Sequence, residues 1–262
     1  MSQAIVDPLE LRRFAHQLKQ FNGDLRERLS GLHAELTRLG DSWRDQEHEK
    51  FTQEFEQTFI QNLETCSWEP HPLYSVFTQS DQEYYIERKE VFLHKYRCFY
   101  AVSKTIRPRK ILEMGTSAGS SADAYLCATP EASYIGFDSF GKDVHHVHQT
   151  LWDPYQITKQ LFASRGFKKY KLIQVDLRTL NRLRYRSDLV VVDAGHDFEN
   201  EYADLRLALT AKPRFIFVDD ADGEDGVSLA VKHFLSEDLR DRIDYTAHID
   251  YQGGGLVIKL KQ

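Results

Sequence analysis

The chain has no apolar run approaching the roughly 20 residues that a membrane-crossing helix needs, so no spanning segment is expected. It does not open on a basic stretch followed by an apolar one, so a secretory signal is not expected and a cytoplasmic location is. A basic surplus is missing too. Its 34 Lys and Arg stand against 40 Asp and Glu, a net charge of −6, which offers no general surface for nucleic acid. Cysteine is scarce. Cys66, Cys98 and Cys127 are widely spaced, without a CxxC or zinc pattern, and are expected as reduced thiols. No internal repeat or low-complexity tract stands out. What remains is 262 residues, 41% hydrophobic, enough for one large domain with an appendage or for two small ones.

The first quarter contains no convincing strand. Leu11, Phe14, Leu18, Phe21, Leu25, Leu32, Leu36 and Leu39 recur at three- and four-residue steps, which predicts a long amphipathic helix opened by Asp7-Pro8. Gly40-Asp41-Ser42 ends it. A second helix, from about Gln46 to Glu64, carries Phe51, Phe55, Phe59 and Leu63 as an i, i+4 stripe. So short a connection predicts an antiparallel hairpin over residues 1–65. Its apolar seam needs a partner, whether its own domain, a second copy or another helical protein. The order of a long helix, Ser42-Trp43-Arg44-Asp45 and a helix with Phe51 resembles the WxG helical hairpins of type VII secretion substrates. Asp45 departs from that pattern, which has glycine there. A generic dimerising hairpin plugged by Trp43 fits the same residues.

Pro70 and Pro72 mark residues 66–80 as the expected linker, before a domain over residues 81–262. Asp81 to Ile106 reads as one helix with Tyr85, Val91, Phe92, Tyr96, Phe99 and Val102 on its apolar side. Five short apolar runs follow, beginning at Lys110, Tyr134, Leu172, Leu189 and Phe215, each ending at or near an acidic residue. Buried parallel strands have this form, and a doubly wound sheet places its ligands at their carboxyl ends. Asp244 to Leu260 reads as two more strands around Gly253-Gly254-Gly255. The expected fold is α/β: a Rossmann-like, doubly wound, mostly parallel seven-stranded sheet with an antiparallel C-terminal edge hairpin, preceded by the helical hairpin.

Glu113-Met-Gly115-Thr116-Ser117-Ala-Gly119 joins the first strand to a helix, where glycines let backbone approach a ligand closely. Asp138 ends the next strand, where a carboxylate can accept hydrogen bonds from two ribose hydroxyls. That pair indicates an adenosine-type ligand, and NAD-binding domains share it. Against a dinucleotide stand the absence of GxGxxG and the presence of acidic Glu113, which repels a pyrophosphate but tolerates a sulfonium or amino group. Asp193-Ala-Gly195-His196-Asp197 and Asp219-Asp220 end two strands expected to be neighbours. Converging carboxylates of this kind suit Mg²⁺, and they equally suit helix caps. His145, His146 and His148 have no recognised ligand spacing and are expected in a solvated loop, near Trp152 and Tyr155.

Together the segments around Glu113, Asp138, Asp193 and Asp219 resemble the class I S-adenosylmethionine (SAM)-dependent methyltransferases, most of all the branch of macrolide and aminocoumarin sugar O-methyltransferases. The resemblance implies that Glu113, Gly115, Thr116, Ser117 and Gly119 frame the methionine part of SAM. It implies Asp138 at the ribose and Asp176 near the adenine. It further implies that Asp193, Asp219 and Asp220 hold a divalent metal, and that His196, beside Asp193, removes a proton from a small hydroxylated acceptor. An interaction or secretion-linked protein with an inactive methyltransferase-like domain is the alternative.

Overall fold

The computed structural model describes residues 50, 52–72, 82–141, 153–222 and 225–261. The chain divides into two compact units between Lys50 and Phe51. The first expected helix, with Trp43 and Asp45, lies outside the described residues, as do His145, His146, His148 and Trp152.

The second unit opens with α1 (residues 52–64) and α2 (Gln82–Ile106). An alternating series follows: β1 (Lys110–Met114), α3 (Ser120–Ala128), β2 (Ser133–Asp138), α4 (Pro154–Ser164) and β3 (Tyr170–Gln174). After a 3₁₀ turn (Leu177–Thr179) come β4 (Leu189–Val192), α5 (Phe198–Leu209), β5 (Phe215–Asp219), α6 (Asp225–Glu237), β6 (Ile243–Ile249) and β7 (Gly255–Leu260). The seven strands form one sheet, as expected, in the order β3-β2-β1-β4-β5-β7-β6. All pairings are parallel except β5–β7 and β6–β7. Strand order reverses beside β1, which pairs with both β2 and β4 and so opens a crevice at the carboxyl ends of the strands.

Alternation along each strand feeds two cores. Ile111, Tyr134, Leu189, Val191, Phe217 and Val257 face the layer of α1 to α4. Leu112, Met114, Ile135, Val190, Val218 and Ile258 face α5 and α6. The first core is aromatic at its centre: the Phe99 ring of α2 lies 5.3 Å from Tyr125, 5.3 Å from Phe217 and 5.6 Å from Tyr251. Helix α2 ends where Arg107 takes a left-handed φ of 52° before Pro108, its N–H returning to Ser103 O at 2.8 Å.

The boundary differs from the one expected over residues 66–80. The Phe55–Phe59 stripe of α1 finds its partners in the sheet layer, with Phe55 5.7 Å from Tyr245 of β6. Trp68 is 2% exposed. Its indole N–H donates to Asp123 Oδ2 at 3.0 Å, and Arg165 grips the same carboxylate through Nε (2.8 Å) and Nη2 (2.9 Å). Arg165 Nη2 also donates to Glu69 O at 2.7 Å. An apolar stripe and a satisfied buried carboxylate therefore draw α1 and the segment after it into the second unit, despite Pro70 and Pro72.

Among the described residues, no helix is long and apolar enough to cross a membrane.

Asp123 is fully buried, so replacing Arg165 strands a charge. Arg165→Met should lower the unfolding free energy in urea by about 3 kcal/mol, and adding Asp123→Asn should recover part of it. An unchanged midpoint for Arg165→Met would contradict the pairing.

Candidate active site

Two groups of polar residues meet at the crevice. The first surrounds the turn from β1 to α3. Glu113 points into the α1–α4 layer and is fully buried. Tyr134 donates a short hydrogen bond to its Oε2, and the Tyr134 hydroxyl is 3.0 Å from Thr116 Oγ1. Glu113 Oε1 makes no hydrogen bond of good geometry, with Ser121 of α3 the polar side chain beside the carboxyl. Burial drives the Glu113 carboxyl up to about 7 against the pull of Tyr134 and Ser121. Thr116 is buried, and Ser117, at a φ of 47°, is exposed. The Ser117 N–H donates to Asp138 Oδ2 at 2.7 Å and the Phe140 N–H to Oδ1 at 2.5 Å. The carboxylate is thus held at the end of β2 with lone pairs to spare on both oxygens. Burial raises the Asp138 carboxyl above its ordinary value, with both N–H bonds opposing.

The glycines of this turn do something other than the sequence suggested. A Cβ on Gly115 would stand 1.8 Å from Asp193 O, and one on Gly119 2.8 Å from Thr158 Cγ2. The space left by each missing side chain is filled by protein, at Gly115 because the ends of β1 and β4 converge and at Gly119 because α4 packs against the turn. Gly136 in mid-β2, unremarked in sequence, makes room for Thr116, whose Oγ1 would lie 2.3 Å from a Cβ. Asp176, expected near the adenine, has local partners. It caps the 3₁₀ turn, accepting from Arg178 N at 3.0 Å, and pairs with the Arg178 guanidinium, which holds its carboxyl below the ordinary value.

The second group lies at the ends of β4 and β5. Oxygens of Asp193, Asp219 and Asp220 come within 4.8 Å of one another, as the sequence led us to expect. They are not helix caps; Asp197 caps α5, accepting from Asn200 N at 2.9 Å. Asp220 has a left-handed φ of 52°, and Gly253 packs so closely that a Cβ would stand 2.1 Å from Asp220 Oδ1. Burial and the charge of Asp219 hold the Asp193 carboxyl well above the usual carboxylate range, and raise that of Asp220.

Sequence reading missed the cation at the centre of this group. Lys95 Nζ of α2 is 2.7 Å from Asp219 Oδ2 and 3.3 Å from Asp220 Oδ1. It also lies 5.7 Å from the ring centres of both Phe99 and Tyr251. Burial pulls its pKa down, but Asp219, Asp193 and Asp220 together raise it above the ordinary lysine value, so it stays charged. Asp219 Oδ1 is engaged by Tyr251 OH at 2.6 Å and Asp220 N at 2.9 Å. The ammonium thus stands among the same carboxylate oxygens that a divalent ion would draw on. The signal was present in sequence as a lysine four residues before Phe99, on the apolar side of its helix.

His196 is exposed on the loop after Gly195, near enough to lower the Asp220 carboxyl. Beside the cluster lies a cleft of about 460 Å³ whose lining includes Asp222, His248, Asp250, Tyr251, Gly253 and Gly254. Tyr155 packs edge-on against Phe140 at 5.0 Å.

Residues 3–67 match the family described as "Proteins of 100 residues with WXG". No curated protein matches the chain. Among solved structures, a Podospora anserina methyltransferase bound to S-adenosylhomocysteine (SAH) superimposes at TM-score 0.53 with 18% identity, over 76% of this chain and 92% of that one. The SAM-complexed O-methyltransferase of tomaymycin synthesis from Streptomyces achromogenes gives 0.51 and 17%, over 76% and 93%. A methyltransferase from Geobacter sulfurreducens gives 0.52 and 15%, over 76% and 95%. The sheet and its helices thus have the class I methyltransferase fold, and the first quarter resembles the WXG family.

Proposed function

We propose that the chain is a SAM-dependent methyltransferase acting on an oxygen of a small hydroxylated molecule, a sugar or a natural product. The observation that carries this reading is the buried Glu113 Oε1 beside a carboxylate, Asp138, fixed by two backbone N–H groups at the next strand end. The pair fits a ligand with a cationic head and vicinal hydroxyls. When bound, SAM supplies a methyl group on an electrophilic sulfonium. Asp138 would hold the ribose, and Glu113, Gly115, Thr116, Ser117 and Gly119 the turn around the methionine part. The names of the similar structures favour methyl transfer, two of them with SAM or SAH bound.

The acceptor belongs in the cleft beside Tyr251, whose acidic and glycine-rich lining suits a polar molecule. Lys95 stays protonated and cannot take a proton from the acceptor hydroxyl. His196 is assigned that step, as an exposed imidazole on the loop beside the acidic cluster. Asp193, whose carboxyl burial and Asp219 raise, is assigned to orienting the acceptor. Residues 1–65 are assigned to assembly, with a second copy or a helical partner, on the strength of the WXG match.

Calorimetry should detect SAM and SAH but not NAD. Asp138→Ala should weaken SAM by about 3 kcal/mol, roughly a hundredfold, through loss of two charge-assisted hydrogen bonds. No heat with either sulfur compound would leave the interaction reading in its place. The Glu113 shift gives a further expectation with a definite sign. A cationic ligand favours the ionised carboxylate, so binding releases a proton wherever Glu113 is protonated beforehand. SAM affinity should therefore fall as pH drops below about 7, by up to about tenfold per unit, and Glu113→Gln should flatten that dependence. Deleting residues 1–50, which leaves the core residues Phe55 and Phe59 in place, should change the mass in light scattering while SAM binding persists. An unchanged mass would count against assembly.

A further inference from the structure

The acidic trio has the donors of a divalent-metal site, yet its charge is met from within the chain. Asp219 is 3% exposed, and three of its contacts are accounted for: Tyr251 OH and Asp220 N on Oδ1, Lys95 Nζ on Oδ2. The ammonium bridges to Asp220 Oδ1 and is confined by two aromatic faces. Its side chain is only 18% exposed, so it is not a solvated lysine that happens to reach an acid. A divalent ion drawing on Asp219 and Asp220 would stand within a few ångströms of the ammonium. Two cations so close repel each other strongly.

We infer that Lys95 is a built-in substitute for the divalent ion: its ammonium excludes metal from the Asp193–Asp219–Asp220 cluster, and removing it uncovers a metal site. The lysine is a positioning residue, setting the spacing of Asp219 and Asp220 through charge in the way an ion would. That methyl transfer should then be indifferent to EDTA rests on the function proposed above. The metal exclusion does not, since it is read without SAM or an acceptor, and so the two ideas can fail separately.

The test is a titration of the full chain with Mn²⁺, followed by loss of the free-ion electron paramagnetic resonance signal. Wild type and Lys95→Arg should leave the signal unchanged up to about 1 mM ion, while Lys95→Met should take up one ion per chain, at least about tenfold more tightly. Adding Asp219→Asn to Lys95→Met should abolish that uptake. In thermal melts Lys95→Met should unfold at lower temperature than wild type, and Mn²⁺ should restore part of the loss without moving wild type. Lys95→Gln serves as the second variant should Lys95→Met fail to fold. Wild type binding Mn²⁺ as tightly as the variant, through Asp219, would overturn the inference. So would a folded Lys95→Met that binds none, or one whose binding survives Asp219→Asn.

Discussion

Three carboxylates at adjacent strand ends repel one another, and the rest of the site is arranged around that repulsion. Two unit charges 4 Å apart near a protein surface interact by about 4 kcal/mol, comparable to a large share of a domain's net stability. The chain meets this cost in three ways. Lys95 brings a positive charge to Asp219 and Asp220. Tyr251 and the Asp220 N–H donate to the deepest carboxylate. Asp193, which has burial as well as Asp219 against it, is pushed toward the neutral form. The two side chains that come to these carboxylates lie outside the alternating strand–helix core of the fold: Lys95 precedes it on α2 and Tyr251 follows β6.

Close backbone approach is the second constraint. Asp193 O occupies the space that a Gly115 side chain would take, and Asp220 Oδ1 that of Gly253. Both glycines therefore fix where an acidic residue stands, so the β1–α3 turn and the acidic cluster share one wall. A change at Gly115 would be felt at Asp193 before any ligand met it.

Much of this was legible in sequence. The runs at Lys110–Met114 and Phe215–Asp219 coincide with strands, and a seven-stranded sheet with an antiparallel edge follows from the alternation and the terminal glycine hairpin. The convergence of Asp193, Asp219 and Asp220 was legible because parallel neighbours end together. What escaped depended on contacts far apart in the chain. Lys95 meets Asp219 across 124 positions (219 − 95), and no local pattern announces such a partner. At Asp176 a strand-end aspartate and a cap look alike in sequence until Arg178 is seen to close on it. The Pro70–Pro72 break was real as a local signal, but the burial of Trp68 outweighed it.

Helix α2 lies ahead of β1, outside the part of the chain that the fold's repeating pattern would mark as indispensable. A chain trimmed to begin at Lys110 would keep every strand and every acidic residue of the crevice. It would nonetheless hold its three carboxylates without Lys95 and expose the faces of Tyr125 and Phe217 that Phe99 covers. The smallest piece with the right topology is thus not the smallest piece with a neutralised site, and the difference between them is one helix.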